Sequence, residues 1–390
     1  MKYVDEFRDP RAGKQLAEDI TRLVTELERQ GLEGPIKIME VCGGHTHAIF
    51  KFGLAGMLPD KLELVHGPGC PVCVLPMGRV DDAITIAKND KVIFTTFGDA
   101  LRVPGSSSSL MQAKAEGADV RTVYSPVDAL ALARRHPDRE VVFFGLGFET
   151  TTPSTALTIL DAAASGVTNF RVFCNHIVIP PALRAILDTE DLDLAGFVGP
   201  GHVTMVIGTE PYRFVAEQYR KPLVISGFEP LDILMSIRMV LAQLVAGRPK
   251  VENQYKRVVG ATGNPVALAA MAEVFRLRDH FEWRGLGSIP QSGLGFTPAY
   301  AHFDAETYYA LPALSPADPK ACECGAVLKG RLKPWDCKVF GTACTPETPI
   351  GACMVSSEGA CAAYYNYGRL TTLKRPVATS TPSAGRPQSL

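Results

Sequence analysis

The stretch Ile36-Lys37-Ile38-Met39-Glu40-Val41-Cys42-Gly43-Gly44-His45-Thr46-His47 decides how this chain is read. A short apolar run stops at a Cys-Gly-Gly turn, and a polar segment with two imidazoles follows. A run of that length closed by glycine is the pattern of a buried strand passing into a loop. The pattern recurs at 62–66, 92–97 and 120–124, and again at 141–144, 170–174, 196–198 and 223–225, with helical segments between. Strands that alternate with helices indicate βαβ units and parallel sheets.

The two sets of four strands repeat at an offset of roughly 104 residues, which suits a duplicated domain better than a solenoid. Pro126, Asp128 and Leu130 of SPVDAL are matched by Pro230, Asp232 and Leu234 of EPLDIL. Each segment follows the last strand of its set and opens a helix, with proline in the first turn and aspartate favoured by the helix dipole. The expected fold is α/β: two related open parallel-sheet domains, at 1–125 and 126–250, and a smaller irregular α+β iron–sulfur domain at 251–375. An amphipathic helix over about 11–29 opens the first domain. In the third, a helix over 265–276 leads to Gly285, Gly287, Gly293 and Gly295 and then to a cysteine-rich region. The segment 376–390 has no periodicity and reads as a disordered tail.

Hydrophobic residues make up 46% of the 390 and charged residues 21%, the balance of a soluble globular protein with room for several cores. A net charge of -1 gives no reason to expect nucleic acid or an anionic membrane as partner. The most apolar long stretch, 231–245, is broken by Asp232 and Arg238 and so reads as a buried helix. The charged N-terminus has no signal-peptide pattern, so a cytoplasmic location is expected. There, grouped thiols bind metal or do redox chemistry more often than they form disulfide frameworks.

In open parallel sheets, ligands bind beyond the carboxyl ends of the strands. Four motifs fall at such ends: CGGHTH (42–47), GPGCPVC (67–73), GFETTTP (147–153) and GPGH (199–202). Cys42, expected at a helix N-terminus with a depressed pKa, offers a thiolate beside His45, a pair suited to iron, zinc or copper. Cys70 and Cys73 form a C-x-x-C that either cycles between dithiol and disulfide or supplies two metal ligands; cycling is the preferred reading. Glu149 and Thr150 to Thr152 suit an anion site or a plain helix cap equally. Cys337, Cys344, Cys353 and Cys361 can wrap a compact site, and four thiolates are the usual ligation of a [4Fe–4S] cluster. Cys322 and Cys324 read as surface thiols or a transient site, and Cys174 as a core residue.

CGGHTH, GPGCPVC, GFETTTP and the terminal FGTACTPETPIGACMVSSEGACAAYYNYG together resemble the HypD family of hydrogenase maturation factors, over all but the last fifteen residues. The resemblance implies a redox-active scaffold that builds the Fe(CN)2CO unit of [NiFe]-hydrogenase with a HypC-type chaperone, using cyanide from a HypE-type donor. The unit would then pass to the hydrogenase large-subunit precursor. It implies that Cys42, with His45 as co-ligand, holds iron, that Cys70 and Cys73 relay electrons, and that Cys337, Cys344, Cys353 and Cys361 ligate a [4Fe–4S] cluster. Glu149 and Thr150 belong to a family motif and count as site residues, without a role that the residues themselves disclose. Free, the chain is expected to be a monomer. The competing functions are a protein disulfide oxidoreductase and a non-redox zinc-binding assembly platform.

Overall fold

In the computed structural model, residues 5–189, 192–312 and 316–368 are described; the expected tail lies outside them. The chain begins with helix α1 (Pro10–Arg29), capped by Asp9, which accepts the Arg11 amide at 2.7 Å. Two βα units follow: strand β1 (Ile36–Glu40) with α2 (Gly43–Lys51), and β2 (Leu62–His66) with α3 (Met77–Ala87). Next come β3 (Val92–Thr96), α4 (Leu110–Ala115), β4 (Val120–Thr122) and α5 (Pro126–Arg135). Then β5 (Glu140–Gly147), α6 (Thr152–Ala164), β6 (Phe170–His176) and α7 (Ile179–Leu187). Strand β7 (Gly196–Pro200) leads to α8 (Gly201–Ile207) and α9 (Arg213–Glu217), and β8 (Leu223–Ser226) to α10 (Pro230–Ala246).

These strands form two parallel sheets, but not along the expected division. The first has the order β2-β1-β7-β8-β9, where β9 is Val251–Asn253; the second has the order β4-β3-β5-β6. The boundary at residue 125 is therefore corrected: β1 and β2 pair with the later strands, and β3 and β4 with β5 and β6. The boundary at 250 moves too, because β9 adds to the edge of the first sheet. An apolar run shows that a strand will be buried and does not say which partner will bury it.

Laying β5–β8 over β1–β4 shows how the two repeats combine. The first sheet then reads second-first-third-fourth (β2-β1-β7-β8), and so does the second (β6-β5-β3-β4). Each sheet takes the first half of one repeat and the second half of the other. The matched aspartates keep their expected place: Asp128 and Asp232 close capping boxes at the starts of α5 and α10.

One core, including Ile38, Val198 and Val224, lies between the first sheet and helices α1, α2 and α10. Another, including Val141, Phe143 and Val172, lies under α5 and α6 and also takes in Phe275, Phe296 and Phe303. The third and largest joins inward faces of both sheets (Met39, Phe94, Phe144, Phe197) to Trp283 and Cys344, Cys353 and Cys361. The C-terminal third is irregular α+β: helix α11 (Pro265–Val274), then β10 (Phe275–Leu277) paired with β13 (Leu294–Phe296), and β11 (His280–Trp283) paired with β12 (Gly287–Pro290). It is fastened to the second sheet by Glu306, whose carboxylate takes Arg79 at 2.9 Å and Arg278 at 2.7 Å, both half-buried or deeper. Arg79 also donates to Asn175 Oδ1 at 2.6 Å and lies 4.2 Å from the Phe173 ring centroid. No helix among the described residues is long and apolar enough to cross a membrane.

Candidate functional site

In a sheet of order 2-1-3-4 the crevice opens where neighbouring strands run out to opposite sides, here between β1 and β7 and between β5 and β3. The loops leaving these four strands line one cleft of about 610 Å³: Cys42, Asp99, Phe148, Thr150 and His202 all face it. The cysteine turn contributes Cys70, and the C-terminal third reaches in with Ser356 to Glu358.

Cys42 is the N-cap residue of α2, in extended conformation. Its amide donates to Glu40 Oε2 at 3.0 Å. Glu40 is almost wholly buried at the end of β1, and its Oε1 accepts from His66 Nδ1 at 2.7 Å and from the Thr46 hydroxyl. This buried carboxylate thus ties the end of β1, the end of β2 and the first turn of α2 to one another. Sequence reading missed it; the signal was a glutamate closing an otherwise apolar strand, two residues before the thiol. The expected depression of the Cys42 pKa is corrected: burial pushes the thiol up, and the Glu358 and Glu40 carboxylates add to the effect. Burial disfavours the thiolate more than the helix N-terminus favours it.

Gly69 interlocks the two cysteine motifs. Its carbonyl accepts the Gly43 amide at 2.9 Å, and a Cβ on Gly69 would strike the backbone of Cys42. Cys70 and Cys73, both buried, are joined as a disulfide with Cα atoms 5.2 Å apart. Cys70 lines the cleft. On the far side, a Cβ built on Gly359 would lie 2.9 Å from Cys73 Sγ and would also meet the Cys353 carbonyl. Only glycine lets the disulfide and the C-terminal cysteine loop approach so closely.

His45 is fully buried, and its Nε2 donates to the Gly227 carbonyl at 3.0 Å, with Ser226 O at 3.3 Å. Its Nδ1 has no hydrogen-bond partner among the described residues, and burial lowers its pKa. The imidazole that opens into the cleft belongs to His202; Phe228 stacks on both rings, at 4.7 Å from His45 and 3.7 Å from His202. Glu149, between the cleft residues Phe148 and Thr150, is almost wholly buried; its Oε1 accepts the Ile179 amide at 3.1 Å and its Oε2 has no hydrogen-bond partner among the described residues. Burial raises its pKa to about 7. Thr150 is exposed to the cleft, whereas the Thr151 and Thr152 hydroxyls turn back to the Phe148 carbonyl at 3.2 and 2.9 Å. Thr151 holds the N-cap position of α6 without a side-chain cap bond, so the plain helix-cap reading is not met at that residue.

Of the four expected thiols, Cys344, Cys353 and Cys361 lie in one group with Cys322 and Cys324. Cys322 and Cys324 bring their sulfurs to the same side of Gly351, and Cys344, Cys353 and Cys361 are close enough to act on them electrostatically. The neighbouring Cys324, and then burial, push the Cys322 and Cys361 thiols up. Cys324 is buried and Cys322 half-buried, which corrects their reading as surface thiols. Gly351 makes room for both, since a Cβ there would run into the two sulfurs. Cys337 is half-buried after a short turn (Pro334–Asp336), and no hydrogen bond among the described residues joins it to the group. Cys174 is a core residue as read, its thiol donating to Leu294 O at 3.4 Å.

Among the described residues no three of these side chains stand in the arrangement of a closed metal site. The donor set nevertheless fits an iron–sulfur cluster in its chemistry. Several buried thiols held together resist ionising one beside another, and a multiply charged metal group relieves that repulsion.

The family model described as "HypD: Hydrogenase formation hypA family" matches residues 13–368. The chain is 59% identical over 372 residues to "Hydrogenase maturation factor HypD" of Rhodobacter capsulatus, covering 94% of this chain and 98% of that protein. It is 54% identical over 367 residues to the protein of the same name in Escherichia coli (strain K12), covering 94% and 98%. The Azotobacter vinelandii protein of that name is 54% identical over 375 residues, covering 95% and 97%.

Proposed function

This chain belongs to the HypD family of hydrogenase maturation proteins, and from that premise we propose that it is the redox-active scaffold on which the Fe(CN)2CO unit is assembled. Iron is the cargo and Cys42 its anchor, completed by a cysteine of a HypC-type chaperone docked at the cleft mouth. Cyanide arrives on the thiocyanate-bearing C-terminus of a HypE-type donor. The unit then leaves for the hydrogenase large-subunit precursor.

Taking cyanide from a thiocyanate breaks the S–C bond and consumes two electrons, with the sulfur leaving as a thiol. The Cys70–Cys73 dithiol holds two electrons and gives them up on closing to the disulfide. Cys337, Cys344, Cys353 and Cys361, with Cys324 beside them, would hold a resident [4Fe–4S] cluster, which would supply electrons one at a time. His45, with Nε2 committed to backbone carbonyls, holds the turn behind Cys42; His202 is the imidazole within reach of the cargo.

The observation that carries this reading is the continuity of the sulfurs. Cys42 and Cys70 line one cleft, and Cys73 lies against Gly359 in the loop bearing Cys353 and Cys361. Cys73→Ala should keep the cluster's absorption spectrum and abolish cyanide-loaded iron on the complex with the chaperone. Unchanged loading would defeat the proposal.

A further inference from the structure

The Glu40 carboxylate gathers hydrogen bonds from both cysteine motifs' strands and from the helix behind Cys42. Its Oε1 accepts His66 Nδ1 at 2.7 Å and the Thr46 hydroxyl, and its Oε2 accepts the Cys42 amide at 3.0 Å. The Glu40 main-chain carbonyl takes the amide of Gly67, which opens the second cysteine motif, at 2.8 Å. Glu40 and His66 are both buried. Burying a carboxylate is costly unless hydrogen bonds replace the water it loses. The question is what this fold gains by keeping one here.

The second repeat builds the same corner without a carboxylate. β1 and β2 pair Glu40 with His66; β5 and β6 pair Gly147 with His176. The fourth residue of the helix that follows is Thr46 in one repeat and Thr155 in the other. In the second repeat histidine and threonine meet directly: His176 Nε2 accepts the Thr155 hydroxyl at 2.9 Å, and its Nδ1 donates to the Gly147 carbonyl at 3.3 Å. In the first repeat Glu40 stands between the two, and its remaining oxygen takes the Cys42 amide. The corner therefore closes on a threonine and a carbonyl alone. The carboxylate stands in the repeat that carries the thiol, and the bond it adds is the one to Cys42. That bond holds the Cys42 backbone extended, with φ -151° and ψ 123°. The sulfur then lies against the first turn of α2, where a Cβ on Gly44 would be 3.9 Å from it, and Cys42 lines the cleft.

We propose that Glu40, braced by His66, is the positioning residue of the cargo site, holding Cys42 in the orientation that receives iron(II) and adding a negative charge behind the thiolate. This rests on the reading that Cys42 anchors the iron. Metal ligands are commonly backed by a buried partner that fixes their orientation, and losing that partner weakens metal binding about 10- to 100-fold. A fixed anion close behind a thiolate also favours a cation in front of it. Glu40 acts through Cys42 and takes no part in bond making or electron transfer.

The test is anaerobic titration of iron(II) into the full chain in complex with the chaperone, counting iron bound beyond what the chain already carries. Glu40→Gln removes the charge at nearly constant shape and should weaken that binding about 10- to 100-fold. In the loaded complex the infrared carbonyl band of the variant should move to higher frequency, because the thiolate passes less electron density to iron. Wild-type affinity in the variant, or weaker binding with an unmoved band, overturns the proposal. If Glu40→Gln does not fold, two variants of His66 replace it. His66→Asn keeps a donor for Glu40 near the place of Nδ1 and should bind iron as the wild type does. His66→Leu keeps the bulk, loses the donor and should bind about tenfold more weakly, the loss of a hydrogen bond to a charged group. Equal affinity in these two overturns the proposal. Cys42→Ala tests the reading beneath it. Wild-type iron binding in Cys42→Ala refutes the anchor, and the role of Glu40 with it; loss of iron there beside full binding in Glu40→Gln refutes the role of Glu40 alone.

Discussion

The buried Glu149 carboxyl should leave its mark on stability. Burial holds its proton from the ordinary value of 4.5 up to about 7. Between those values the folded chain keeps a proton that the unfolded chain has lost, so stability falls as pH rises and levels off above about 7. At 1.36 kcal/mol for each tenfold change, the fall is about 3 kcal/mol. Glu149→Gln has no proton to hold and loses that slope. The stability of the variant relative to wild type should therefore rise by about 3 kcal/mol between pH 4.5 and pH 8, whatever its offset at the acid end. Burial of His176, which lowers its pKa to about 4, gives a slope of the opposite sign. That slope is common to both proteins and cancels in the difference. Urea unfolding of both proteins across this range, under reducing conditions, measures it. Parallel curves would mean that Glu149 is ionised in the fold at neutral pH, and the reasoning from its unpartnered oxygen would fail.

Glu306→Gln leaves Arg79 and Arg278 without their carboxylate, and unfolding should become easier by about 3 kcal/mol at pH 7. Because Arg79 and Arg278 hold the Glu306 pKa down to about 2, its contribution is complete above 4.5 and fades as pH falls towards 2, so the variant's deficit should shrink in acid. Equal deficits at pH 7 and pH 3 would contradict this. Gly69→Ala drives a methyl into the Cys42 backbone, which should cost about 2–3 kcal/mol in chemical unfolding; an unchanged midpoint would refute the interlocked motifs. Cys324→Ser and Cys361→Ser should each cut iron and acid-labile sulfide well below half of wild type, with Cys174→Ser as the unaffected control. Full content in Cys324→Ser would return the ligand set to the four cysteines expected from spacing.

The strands were legible because short apolar runs ending in glycine have few other uses, and the cleft because its motifs all stand at strand ends. Pairing was not legible. β1 joins β7 across some 150 residues, and nothing in either run records that the repeats exchange halves. Glu40 and His66 escaped notice because a polar residue at a strand end usually faces water; here the two satisfy each other in the core. His45 was singled out for its neighbour Cys42, but a helix turns its residues to different sides, and this one faces the Ser226–Gly227 backbone. Cys322 and Cys324 lie too far from the other thiols in sequence for spacing alone to include them, and it is the fold that brings Cys324 to Cys361.

Iron, zinc and acid-labile sulfide in the anaerobically isolated chain, with its absorption spectrum before and after dithionite, test the central claim most directly. The account predicts about four iron and four sulfide per chain, with a visible band that bleaches on reduction. One zinc and no sulfide would contradict it, leaving the Cys70–Cys73 pair without its source of electrons.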